Sequence, residues 1–136
     1  MNFISKELTL IIPYSQLQVT AANLLSYTEV LEKLSLRLSS CPGLYETDGK
    51  KEHPVIFHYF YSGTDIYICE YDRQDTMFGF NILNDDLQNA EWGYTSVSEI
   101  RNIPLINIDY HFPVQSIEAA LYKRNPEFFK KPLSVA

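Results

Sequence analysis

Between positions 53 and 112 the chain carries short aromatic-rich runs, PVIFHYFY, DIYICEYD, TMFGFNIL and EWGYTSVSEI, separated by polar breaks. Apolar residues alternating with period two are the signature of strands whose side chains face opposite sides of a sheet. Pro54 to Tyr61 predicts a strand with Val55, Phe57, Tyr59 and Tyr61 on one face and Ile56, His58 and Phe60 on the other. Ser62-Gly63 turns it, and Asp72-Arg73-Gln74-Asp75 forms a hairpin loop between strands at Asp65–Tyr71 and Met77–Leu83. Glu91 to Thr95 predicts a further strand, and Ile106 to Phe112 an edge strand. Gly93 reads as a site of close backbone approach, crowded enough that Gly93→Val should cost at least about 1 kcal/mol.

The amino-terminal third has a different period. Tyr27, Val30, Leu31, Leu34 and Leu38 recur at steps of three and four, which predicts a helix over Ser26–Ser40. Ser26 and Glu29 have capping-box spacing, and Cys41-Pro42-Gly43 is a stop signal. Leu8 to Leu25 is mixed: Leu8, Leu10 and Ile12 alternate like a strand, whereas Leu17, Ala21, Leu24 and Leu25 repeat like a helix. Asp48 to Glu52 is a solvated loop. Ser96-Val97-Ser98-Glu99 has the capping-box pattern of a short helix carrying Val97 and Ile100 toward the sheet, and Val114, Ile117 and Leu121 suggest a last helix. The expected architecture is a single α+β domain, an antiparallel sheet of about four to five strands flanked by helices. Residues 1–45 are mainly helical, 53–112 form the sheet, and 113–136 form a helix and a basic tail.

Composition sharpens this reading without naming an activity. With 136 residues, 46% of them hydrophobic and 14% aromatic, the chain can build one core and is unlike a disordered segment. Two cysteines make neither a disulfide framework nor a metal pattern, so a reduced, cytoplasmic setting is expected. Cys69, inside a strand pattern, reads as a small hydrophobe; Cys41, before Pro42-Gly43, reads as an exposed loop thiol. The apolar run Leu8–Ile12 is too short for a signal peptide or a membrane span, and no membrane partner is expected.

Charge is the one bulk property that favours a kind of partner. The net charge is −6, yet from Asp65 to Glu118 ten acidic residues face two basic ones, Arg73 and Arg101, a local balance of −8. Lys123 to Lys131 reverses this, with four bases against Glu127. An acidic surface repels phosphate backbones, so direct nucleic-acid binding is disfavoured and another protein is the expected partner. The candidate binding residues are Asp72, Asp85, Asp86, Glu91, Trp92, Tyr94, Glu99 and Asp109.

Catalytic constellations are weaker. His58 and His111, with Asp109 or Glu70, could serve a small metal-dependent enzyme, which is the alternative reading, but no His-x-His spacing brings them together. Each of these histidines is more simply a half-buried strand residue held by a hydrogen bond, and His53, beside a charged loop, is exposed. Asp85, Asp86 and Glu91 read as a solvated loop and not as carboxyls across a cleft. Ser96 and Ser98 lack a Gly-x-Ser-x-Gly elbow. The ring-rich sheet suits core and interface packing better than base stacking, because basic-aromatic signatures are missing. No catalytic residue, metal or cofactor is expected.

The succession HPVIFHYFY, DIYICEYD, MFGF, AEWGYTSVSEI and NIDYHF resembles a small uncharacterised bacterial domain family of plasmid, phage and conjugative-element proteins. Phe60 matches the Phe of that family's first strand, Glu70 the acid ending the next, and Phe78-Gly79 its Phe-Gly strand. Glu91, Gly93, Tyr94, Ser96, Ser98 and Glu99 match its long segment, the most specific part, and Asp109 and Phe112 match its close. Asn107 and Ile108 stand where the family has Glu and Arg, and Tyr67 where it usually has Trp. The resemblance covers about half of the chain. It implies a mobile-element origin, and with the acidic middle it leads to an expected role as a non-enzymatic accessory or interaction protein. In its sharper form, the acidic surface occupies the basic groove of a host nucleic-acid-binding or defence protein.

Overall fold

The computed structural model describes residues 4–132. Three helices open the chain: α1 (Lys6–Thr9), α2 (Tyr14–Ala22) and α3 (Leu24–Ser40). The strands β1 (Pro54–Val55), β2 (Phe57–Tyr61), β3 (Thr64–Tyr71), β4 (Thr76–Ile82) and β5 (Glu91–Ser96) follow, then α4 (Val97–Arg101), β6 (Asn107–Ile108), β7 (Gln115–Ser116) and α5 (Ile117–Arg124). The main sheet is antiparallel with order β5-β4-β3-β2-β6, and β1 pairs with β7 in a separate two-stranded ribbon. This is the α+β architecture the sequence predicts. None of the described helices is long and apolar enough to cross a membrane.

The two long hairpins follow from local chemistry. Ser62 (φ 39°) and Gly63 (φ 87°) make a two-residue turn with both φ values positive, whose twist matches the flanking strands. Asp72 organises the next turn, its Oδ1 accepting from the backbone N–H groups of Gln74, Asp75 and Thr76. One sheet face packs Phe57, Tyr59, Ile66, Ile68 and Met77 against α1 and α3 through Leu8, Leu31, Leu34 and Leu38. The other gathers Val55, Tyr67, Cys69, Ile82 and Phe112 under Ile117 and Ala120 of α5. Each face buries the half of the alternating pattern that the helices above it require.

Several expectations are corrected. Leu8–Ile12 is not a strand: Ser5 caps α1, and Ile11 and Ile12 bury their side chains where the chain leaves it. The α3 helix begins at Leu24, so Ser26 lies inside it and the expected capping box does not form there. Alternation breaks at Ile56, which joins the core under α1 and α3 with Phe57, while Val55 belongs to the α5 face. Only Asn107–Ile108 of the predicted edge strand pairs, and Val114 is exposed ahead of α5. Cys41 is buried at the end of α3, its thiol pushed up to about 12, chiefly by burial. The left-handed residue after α3 is Tyr45 (φ 70°) and not Gly43.

One irregularity shapes the whole sheet. Between Ile68 and Glu70 the β3–β4 register slips by one residue, a bulge at Cys69. The β4 residue facing this slip is Gly79, where an added Cβ would sit 1.8 Å from the Tyr67 carbonyl oxygen. Gly93 has no such constraint: its Cβ would meet only Asn81 Nδ2, at 3.6 Å. The glycine that the sheet requires is therefore Gly79, and the expected crowding at Gly93 is not found.

Candidate functional site

The two ends of the main sheet are finished differently. At β6, Gln16 of α2 acts as a substitute strand: its Nε2 donates to the Ile108 carbonyl at 2.9 Å and its Oε1 accepts from the Ile108 N–H at 2.8 Å. That edge is closed. At β5, no described segment pairs with the outer side. The Val97 N–H donates to the Asp75 carbonyl and continues the register in which Thr95 faces Met77 and Gly93 faces Gly79. Because hydrogen-bonded and non-bonded pairs alternate in an antiparallel ladder, Glu91, Gly93 and Thr95 bond inward to β4. The backbone groups of Trp92 and Tyr94 then point outward from the sheet.

Aromatic rings cover one face of this edge. Trp92 is 38% exposed and Tyr94 54%, although both carry large rings. Phe78 stacks on Trp92 at 5.5 Å and lies 4.9 Å from Tyr94. Tyr45, 63% exposed, meets the Tyr94 ring edge-on, and His53 lies 5.1 Å from Trp92. The loop that brings Tyr45 here is anchored from below by Glu70, only 1% exposed, on the strand beyond the bulge. Its carboxylate accepts from the Tyr45 N–H at 2.8 Å, the Thr47 N–H at 3.1 Å and the Thr47 hydroxyl. A buried carboxylate is tolerated because these donors replace water. The Tyr94 hydroxyl titrates above its ordinary value, through desolvation first and then the Tyr45 hydroxyl and the charges of Asp48 and Glu70.

The opposite face of the same edge borders a groove of about 350 Å³. Its walls include Asn81, Asp86, Glu91, Gly93 and Thr95 over Ile66. Asn81 Oδ1 and Thr95 Oγ1 are out of reach of solvent and have no hydrogen-bond partner among the described residues. Neither Asp86 nor Glu91 forms a salt bridge among them. The two bases within the acidic stretch are turned away. Arg73 donates to the carbonyls of Tyr71, Leu38 and Cys41, and Arg101 to the Ile12 carbonyl and the Tyr14 hydroxyl. Arg124, from outside that stretch, pairs with Asp65 and Asp85, which leaves Asp86 and Glu91 without a basic partner among the described residues.

Of the eight candidate binding residues, the structure brings Asp86, Glu91, Trp92 and Tyr94 together around β5. Glu99 is exposed on α4, directly after β5. The others have separate duties: Asp72 holds the β3–β4 turn, Asp85 pairs with Arg124 at 2.6 Å, and Asp109 accepts from the His111 N–H at 2.9 Å. The β4–β5 register adds Phe78 opposite Tyr94 on the aromatic face and Asn81 opposite Glu91 in the groove, whereas Tyr45 carries no signal in the sequence because the Glu70-anchored loop brings it there.

No family model, curated protein or solved structure matches this chain. The residues of the enzyme alternative are dispersed. His58 is half-buried and held by a carboxylate as expected, its Nε2 2.7 Å from Asp65 Oδ1 and its ring stacked on Tyr67 at 4.6 Å. His111 is exposed in a turn, not half-buried on a strand, and His53 is partly covered by Trp92. Glu70 is engaged by Tyr45 and Thr47. Among the described residues, no group of three His, Cys, Asp or Glu side chains is placed to hold a metal ion.

Asp65 is the hub of a second polar cluster that no sequence motif announced. Its other oxygen accepts from Arg124 Nε at 2.6 Å, and Arg124 Nη2 reaches Asp85 Oδ1. Burial alone would raise the Asp65 carboxyl, but the hydrogen bonds and charges of His58 and Arg124 hold it below its ordinary value. The cluster ties α5 to the β2–β3 hairpin. The hairpin register made it foreseeable: with His58 facing Tyr67 and Phe60 facing Asp65, positions 58 and 65 are diagonal neighbours on one face.

Proposed function

We propose that the protein is a non-enzymatic accessory protein of a mobile genetic element that acts in the cytoplasm by binding another protein through the β5 face. The observation that carries this reading is an open edge strand with Trp92 and Tyr94 exposed on one side and uncompensated carboxylates on the other. Exposed aromatic rings supply much of the energy of many protein interfaces. Uncompensated carboxylates steer a basic partner and raise its rate of encounter. Partners that handle nucleic acid present basic grooves, so occupying one would make this protein an inhibitor of a host nucleic-acid-binding or defence protein. The mobile-element origin rests on the family resemblance through Gly93, Tyr94, Ser96, Ser98 and Glu99.

The test is site-directed photo-crosslinking in cells that naturally carry the gene. A photoreactive residue at Tyr94 is expected to give one discrete protein adduct, while the same residue at Leu36, exposed on α3, or at His111 gives none. Joint replacement of Asp86, Glu91 and Glu99 by Lys should abolish the adduct, and in extract of the same cells the adduct should weaken as salt rises from low to physiological levels, where screening acts over about 8 Å. Equal labelling from all three positions, or an adduct indifferent to charge, overturns the reading.

A further inference from the structure

The open edge offers three unmet demands side by side. The first is backbone: the outward N–H and C=O groups of Trp92 and Tyr94 have no described partner, whereas the equivalent groups at the β6 edge are met by Gln16. The second is space: Gly93 leaves a notch between Glu91 and Thr95, open where any other residue would place a side chain. The third is charge: the carboxylates of Asp86 and Glu91 line the same groove and have no basic partner among the described residues. A strand added to β5 would satisfy all three, because its side chains alternate between the aromatic face and the groove.

We infer that β5 is a strand-addition site for an extended, basic segment of the partner protein, with an Arg or Lys side chain of that segment lying in the Gly93 notch. This rests on the interaction reading above and names the chemistry that would be recognised. The added backbone pairs with Trp92 and Tyr94. Its groove-side cation donates to the carboxylates of Glu91 and Asp86. Its neighbours on the other side are apolar and rest on Trp92, Tyr94 and Phe78. A second copy of this chain fits poorly, because its own β5 brings Glu91 and no base to a site already rich in uncompensated acid.

The experiment titrates short synthetic peptides into the full chain, following backbone amide signals and amide exchange by NMR at low salt. The first peptide alternates Arg with Val; its controls replace Arg by Glu, N-methylate alternate backbone amides, or carry equal charge on a helical sequence. The alternating Arg peptide is expected to bind and to slow exchange at Trp92 and Tyr94, and every control should bind at least tenfold more weakly. Gly93→Val puts a side chain into the notch, and because its Cβ would meet only Asn81 Nδ2, at 3.6 Å, it should melt close to the parent and weaken the peptide at least tenfold. Binding without protection at Trp92 and Tyr94, equal binding by the helical control, or indifference to Gly93→Val would each refute strand addition. A Tyr94 adduct in cells that survives Gly93→Val would leave the interaction reading standing while this inference falls. Protection of the β5 amides that grows with protein concentration in the absence of peptide would assign the edge to self-association instead, and would also overturn it.

Discussion

Replacing Gly79 by Ala tests whether the bulge at Cys69 governs the packing of the sheet. The new methyl carbon would lie 1.8 Å from the Tyr67 carbonyl oxygen, 2.7 Å from its carbon and 2.9 Å from the Ile68 Cα. All three are backbone atoms of a central strand, so no side chain can swing aside. Ordinary contact begins near 3.4 Å, so β3 and β4 must part locally by the difference of the two distances, about 1.6 Å. Such a gap breaks two or three ladder hydrogen bonds at about 1 kcal/mol each, and overpacking strain adds about 1–3 kcal/mol. The expected cost is about 3 kcal/mol or more, a fall in Tm of roughly 10 °C for a domain of this size. Gly93→Ala is the matched control, since its methyl meets one side-chain atom at 3.6 Å. It should stay within about 1 kcal/mol of the parent, because any gain from restricting the unfolded chain is small. Thermal and urea denaturation of both variants measure the difference. Equal melting of Gly79→Ala and the parent, or a larger loss at Gly93, would refute the assignment of Gly79 to the bulge.

Three further outcomes are expected. Glu70→Ala removes the acceptor for the Tyr45 and Thr47 amides; it should cost about 2–4 kcal/mol in urea melts and increase the exposure of Tyr94, and an unchanged melt would show that the loop holds itself. Asp65→Asn should lower stability near neutral pH by about 2–4 kcal/mol by leaving Arg124 and His58 poorly matched. Because the folded Asp65 carboxyl titrates below its ordinary value of 3.8, its contribution is complete above that value and is lost as pH falls through the lower folded value. The Tm gap between parent and variant should therefore shrink as the pH falls below 3.8, and a gap that stays constant would contradict the ion-pair account. Ser96→Ala should cost roughly 0.5–2 kcal/mol, since Ser96 Oγ accepts from the Glu99 N–H and donates to Asp75 Oδ2 at 2.7 Å, whereas an equal effect from Ser98→Ala would place the cap elsewhere.

The features legible in the sequence are those that depend on neighbours along the chain. The Ser62-Gly63 and Asp72–Asp75 turns, the three long strands they join, the buried stripe Leu31, Leu34 and Leu38 of α3, and the Ser96 cap were all legible, because positive φ, alternation and capping act within a few residues. The carboxylate partner of His58 could likewise be anticipated in kind. Tertiary structure alone decided which sheet edge stays open, because Gln16 reaches Ile108 across 92 residues of chain. It also moved the essential glycine from 93 to 79, since the bulge at Cys69 arises from pairing between strands and leaves no trace in either strand alone. Cys41 reads as a loop thiol until β3 and α3 close over it. Tyr45 and His53 join Trp92 and Tyr94 only because Glu70, buried on a strand, satisfies the amides of a distant loop. Period and spacing report forces between nearby residues; a site assembled from separate elements depends on packing and pairing that only the folded chain contains.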